Sequence, residues 1–197
     1  MLLLGSRLNT TPVMSLQTGG RLAHTTKPII NPANLKIVAY EVEGQLLTEH
    51  PSFLRTADVR EFGRLGMIID SNDELIGLDD VLDVERLYKL GFALIGMQVI
   101  DERKHRLGKV FDYTLETNGF EIQQLNVRQG FFKSINDTGS LIHRSQIVEI
   151  NDKGIIVKSS AVKTVEPMMQ SMRGEFVNPF RKVGGNQKPE HETTTIK

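Results

Sequence analysis

The chain has 197 residues, with 24 Lys and Arg against 24 Asp and Glu, so no net field draws it toward nucleic acid or an anionic membrane. It has no Cys, which excludes disulfides, thiol catalysis and thiolate metal sites. Apolar residues make up 39% and Trp is absent, which predicts a folded protein whose core rests on Ile, Leu, Val and Met.

Residues 1–5, Met-Leu-Leu-Leu-Gly, lack the basic start and long apolar region of a signal peptide. No apolar run reaches the ~18 residues that cross a bilayer, so a soluble, cytoplasmic protein is expected. Residues 4–8 predict a short first strand, 9–19 a long turn containing Pro12, and 20–26 a return strand. Pro28 and Pro32 argue for an edge or loop after it. Residues 35–42 predict a strand whose apolar alternation slips by one at Val38-Ala39, the mark of a bulge. A strand with a helical turn is predicted over 52–62, and a short apolar strand over 67–70. An acidic run follows, from Asp70 to Asp83. Asp79 or Asp80 can cap a helix there, Val84, Leu87 and Tyr88 recur at helical spacing, and Gly91 suits its end.

Residues 94–100 and 107–115 predict two strands joined by the charged turn 101–106. Asn118-Gly119 then stands between apolar runs, a strong hairpin signal, and Gln123-Gln124 repeats the phase slip of the earlier strand. Residues 141–150 and 154–158 flank a further tight turn. Five blocks of the first half match blocks of the second in the same order: Leu4-Gly5 with Ile95-Gly96, Gly20-Arg21-Leu22 with Gly108-Lys109-Val110, Leu35–Val42 with Phe120–Val127, Phe53-Leu54 with Leu141-Ile142, and Gly66–Ile69 with Gly154–Val157. The chain therefore reads as one small unit built twice. One copy of about 70 residues buries little surface, which predicts a shared apolar interface.

The run Ile95-Gly96-Met97-x-Val99, a polar turn, Leu107-Gly108-Lys109-Val110-x-Asp112, then Ile122 to Val127, resembles a PRC-barrel domain, the family named for the photosynthetic reaction centre H subunit and found also at the C-terminus of a ribosome-maturation factor. The resemblance covers residues 94–160. Residues 4–70 depart from it, with a longer turn and with Ala23-His24 set against Phe111-Asp112. It implies an all-β fold with a short linker helix: two small PRC-barrel-like β-barrels in tandem. The predicted boundaries are 1–77 for a degenerate first unit, 78–93 for the linker, 94–165 for the second unit and 166–197 for a tail, partly disordered.

The resemblance carries no catalytic, cofactor or metal residues, and fold alone supplies no function. Arg103, Lys104, Arg106 and Lys109 form a local basic cluster suited to phosphate or RNA, against the plainer reading of a solvated hairpin tip. Met168, Met172, Phe176 and Phe180 recur every four residues and are candidates for partner binding, against the reading that they pack on the protein's own barrels. His24, His105 and His143 lack metal-site spacing, the acidic run lacks a calcium-loop pattern, and Gly19-Gly20 precedes no phosphate-loop Lys. No nucleophile elbow surrounds any Ser. The expected function is a non-enzymatic scaffold that binds another protein or a second copy of itself, with no cofactor. A role with RNA or the ribosome is the alternative. An enzyme using a cleft between the units is the third option, and no motif selects its reaction.

Overall fold

The computed structural model describes residues 1–129 and 139–159, so Met168, Met172, Phe176, Phe180 and the tail lie outside the described residues. β1 (Leu2–Leu4) leads into a 3-10 turn over Gly5–Leu8. β2 (Pro12–Ser15), β3 (Arg21–Asn31), β4 (Lys36–Glu43) and β5 (Ser52–Arg55) follow, then β6 (Glu61–Gly63), β7 (Gly66–Ile69) and β8 (Leu75–Gly77). Helix α1 (Leu82–Leu90) joins this half to β9 (Gln98–Asp101), β10 (Arg106–Glu116), β11 (Glu121–Arg128), β12 (Ser140–His143), β13 (Ile147–Asn151) and β14 (Gly154–Val157). The described residues are all-β with one α-helix, as expected. Their strands form a single mixed sheet of 14. Among the described residues its main path runs β13-β14-β9-β10-β11-β4-β3-β2-β7-β6 and does not close.

The pairings of the first half recur in the second. β2 lies parallel to β7 through Val13↔Met67, as β9 lies parallel to β14 through Val99↔Ile155. β3 pairs with β4 through His24↔Glu43 and Tyr40↔Pro28, as β10 pairs with β11 through Lys109↔Arg128 and Leu125↔Tyr113. The two phase slips are bulges. The β3–β4 ladder skips Val38 and the β10–β11 ladder skips Gln123. An extra residue on one strand turns the next apolar side chain back toward the core, which is why Ile37 and Tyr40, like Ile122 and Leu125, can all be buried in one core.

Two expectations for the first half are corrected. Residues 4–8 are not a strand, because the backbone tightens into the 3-10 turn after Leu4. The counterpart of Gln98–Asp101 is instead Pro12–Ser15, inside the segment read as a long turn. Its four residues gain strand geometry from β3 on one side and β7 on the other. The position of Phe111-Asp112 accordingly falls on Thr26-Lys27 rather than Ala23-His24, counting from the rungs His24↔Glu43 and Lys109↔Arg128. Pro28 does sit inside β3, opposite Tyr40 and next to the register shift between Thr25 and Pro28, a bulge being one of the places where a strand admits proline.

Among the described residues two strand pairings join the halves. β1 adds to the far end of β10 through Leu3↔Leu115. There Ser6 donates its N–H and its hydroxyl to Asp112, at 3.2 and 2.6 Å, and a Cβ on Gly5 would meet the Tyr113 ring at 2.3 Å. β4 and β11 meet at Lys36↔Glu121, flanked by Ile37 N–H donating to the Phe120 carbonyl and Ile122 N–H donating to the Leu35 carbonyl, each at 2.9 Å. Lys36 and Glu121 are counterparts, as are Ile37 and Ile122, so this contact has local two-fold symmetry. One contiguous core runs through it from Val13, Ile37 and Leu54 to Ile122, Leu125 and Ile155. A smaller cluster sits under α1, where Val84 and Tyr88 cover Ile29, Ala39 and Phe53. Residues 1–165 group as one compact unit.

The acidic run is absorbed locally. Asp70 pairs with Arg60, the Glu74 carboxylate accepts from Ser71 N–H at 2.7 Å, and Asp80 accepts from Gly77 N–H at 2.7 Å. The last two tie down 3-10 turns on either side of β8, a strand hidden in that run. α1 begins at Leu82 without a side-chain cap and ends at Gly91 with φ 64°.

Candidate functional site

The β9–β10 turn is built around Asp101. Its carboxylate accepts from the His105 N–H at 2.8 Å, His105 Nδ1 lies 3.0 Å from the second oxygen, and the Asp101 carbonyl accepts from Lys104 N–H at 2.9 Å. Burial pushes the Asp101 pKa up, but the hydrogen bonds and charge of His105 and the Arg103 backbone outweigh it and hold the group below its ordinary 3.8. A lowered carboxylate pKa stabilises the fold above the unfolded value, and that contribution is lost as pH falls through the folded value. The melting-temperature gap between wild type and Asp101→Asn is therefore expected to be largest near about pH 6 and to shrink toward about pH 2. A gap constant across that range would show that the turn does not depend on the charge.

The structure separates the predicted basic cluster. Arg103 and Lys104 are exposed in the turn itself, Lys104 with φ 67°. Arg106 and Lys109 instead line a groove of about 690 Å³ with Ile95, Gln98, Phe111 and Arg128. A second bulge, between Arg106 and Gly108 against Ile100 and Val99, brings both Arg106 and Lys109 to the outer face. Gly108 forms part of the groove lining beneath them. A Cβ there would lie 2.2 Å from the Arg128 carbonyl, and φ is 130°, so the close approach of β11 requires glycine. Gln98 Nε2 donates to the Gly108 carbonyl at 2.7 Å and Gln129 Nε2 to the Arg106 carbonyl at 3.2 Å.

Across the groove Lys109 stands opposite Arg128, and the Arg128 guanidinium lies 4.3 Å over the Phe111 ring. The same rung of the first half carries complementary groups, with His24 Nε2 3.9 Å from Glu43 Oε2. There Thr26 stands in place of Phe111, its hydroxyl donating to the Glu41 carbonyl at 3.0 Å. The groove's lining holds three cations and no carboxylate among the described residues. Ile95 and Phe111 are 50% and 43% exposed, which adds an apolar component.

Phe111, Arg128, Ile95 and Gln98 were not among the candidate site residues read from the sequence. Register was the missing signal. Counting back from the Asn118-Gly119 turn through Glu116↔Glu121 brings Arg128 opposite Lys109, because the ladder's two bulges, at Gln123 and at Phe111, lie on opposite strands and cancel.

Three smaller clefts lie where the halves meet. One of about 350 Å³ sets Thr56, Val59 and Phe62 against Thr117 and Phe120. Another of about 300 Å³ sets the counterparts Arg144, Ile147 and Ile150 against Pro32 and Leu35. Arg144 there bridges the halves, donating to Glu121 Oε2 and the Asn34 carbonyl, each at 2.8 Å. The third, of about 400 Å³, lies between Leu90, Phe92 and Asp152. All three are at the small end of ligand sites.

Among the described residues no group of three His, Asp or Glu side chains is placed to hold a metal. The buried Tyr40 hydroxyl has no hydrogen-bond partner among them. Burial and the neighbouring Tyr113 push its pKa well up, which keeps it neutral. No helix among the described residues is long and apolar enough to cross a membrane. No protein-family model and no curated protein matches the chain.

Proposed function

We propose that the chain is a non-enzymatic scaffold protein that binds another protein, built from two PRC-barrel-like units in tandem. Residues 1–77 and 94–165 are the units, with 78–93 as the linker between them, and the working compartment is the cytoplasm. What supports this reading is the shared pattern of rungs and bulges in the two halves together with their difference at one place. Two copies with one register and separate surfaces suit a division of labour in which one half supports and the other binds. The observation that carries it is the groove that the half-exposed Ile95 and Phe111 line, where the first half has Thr26 in the place of Phe111, its hydroxyl bonded to the Glu41 carbonyl.

The second reading is a role with RNA or the ribosome. The exposed Arg103 and Lys104 next to Arg106 favour it, since such side chains contact phosphate without reading sequence. The Arg128 guanidinium over one face of Phe111 and the zero net charge weigh against it, because base stacking needs a ring face and non-specific binding needs a net cationic field.

Affinity capture of the full chain from lysate, with and without ribonuclease, separates the two. A stoichiometric protein that survives ribonuclease is the expected result. Recovery only of ribosomal material that ribonuclease removes would replace the first reading with the second.

A further inference from the structure

We propose that the groove lined by Ile95, Arg106 and Phe111 receives the start of α1 from a second copy of the chain, with Leu82 against Ile95 and Phe111 and the carboxylates of Asp79 and Asp83 toward Arg103, Lys104 and Arg106. The inference rests on the protein-binding reading and names an occupant.

Two exposed surfaces of opposite charge carry the argument. On the second half, Arg103, Lys104 and Arg106 are exposed at one end of the groove, which Arg106 itself lines. The acids of the same turn are engaged. Asp101 holds His105, and Glu102 accepts from Ser159 N–H at 3.3 Å. The half-exposed Ile95 and Phe111 supply an apolar floor beyond them. On the first half, Leu82 is 77% exposed, the most exposed large apolar side chain among the described residues. Asp79, Asp80 and Asp83 stand exposed around it. Asp83 meets Arg86 at 3.3 Å on the open surface, where such a pair is weak and readily exchanged.

A large apolar side chain set among acids thus matches an apolar groove rimmed by cations. Arg106 and Phe111 lie about 15 Å apart along β10, a span that the run from Asp79 to Leu82 and the length of an Arg side chain cover together. Zero net charge leaves no overall repulsion between copies to oppose the match.

The contact runs between copies because α1 is fixed elsewhere in its own. Val84 and Tyr88 hold it on Ile29, Ala39 and Phe53 of the first half, while the groove is built from the second half. The two surfaces are different, so the contact is heterologous. Each added copy leaves one surface of each kind open, and association continues into a chain or closes into a ring.

The test is sedimentation velocity of the full chain at physiological salt. Wild type is expected to associate with a Kd of about 50 µM, weakened about tenfold in about 0.5 M salt. A hairpin variant, Arg103→Glu with Lys104→Glu, and a helix variant, Asp79→Ser with Leu82→Ser, should each stay monomeric at concentrations where wild type associates. Both should keep the wild-type melting temperature, since all four side chains are exposed. Mixed together, the two variants should form a one-to-one dimer that grows no further, because each retains the surface that the other has lost. A wild type that stays monomeric, association unchanged in either variant, or a mixture that stays monomeric would each overturn the proposal. A different, ribonuclease-resistant protein in the capture experiment would then still support the broader reading, so the two failures are distinguishable.

Discussion

Ile122→Ala is expected to destabilise the whole chain by about 4 kcal/mol, seen as a lower urea midpoint for one unfolding transition. Ile122 is fully buried, and its N–H donates to the Leu35 carbonyl in the other half. Truncation removes apolar contacts at the centre of the contiguous core and leaves a cavity that the local two-fold pairing of β4 and β11 cannot collapse into. Both halves lose support together, so Tyr fluorescence and far-UV circular dichroism should report the same midpoint. Ile37→Ala, at the counterpart position, should cost a similar amount. Two separate transitions, with only the later one shifted by Ile122→Ala, would mean that the halves unfold independently.

Gly154→Ala is expected to cost about 3 kcal/mol. The backbone there has φ 143°, and an added Cβ would lie 2.3 Å from the Gln98 carbonyl oxygen. Two costs combine: a conformation that side chains rarely adopt, and a backbone contact at the start of the parallel β9–β14 pairing. Gly66 has the same relation to Pro12, with φ 111° and a contact of 2.1 Å, so Gly66→Ala should behave alike. Gly119→Ala is the control, because its nearest neighbour is a side-chain carbon at 3.5 Å, and a change below about 1 kcal/mol is expected. Thermal or urea unfolding of the three variants checks the order. Equal losses at Gly154 and Gly119 would show that the close approach of β9 is not what demands glycine.

These glycines show what the sequence could and could not reveal. Gly66 and Gly154 were visible as the starts of matching apolar blocks, because a local pattern of four residues sufficed. The bulges at Val38 and Gln123 were visible because a strand buried on one face must keep its alternation, and a break in it has few causes. β2 was hidden. Leu4–Leu8 and Pro12–Ser15 each offered two large apolar residues, and pairing with β3 and with the distant β7 is what makes the latter a strand. β8 was hidden in the acidic run because Leu75-Ile76-Gly77 is defined by pairing with β5. The cationic cluster was half visible. Arg106 and Lys109 were found by sequence proximity, yet they work with Arg128 and Phe111, which arrive through strand register.

The difference between the halves at Phe111 and Thr26 is the centre of the functional account, and photo-crosslinking in cells tests it most directly. A benzophenone amino acid placed at Phe111 is predicted to capture a protein, while the same group at Thr26, its first-half counterpart, captures none. Equal capture at both positions, or capture of RNA at Phe111, would contradict the assignment of the second-half groove as a protein-docking surface.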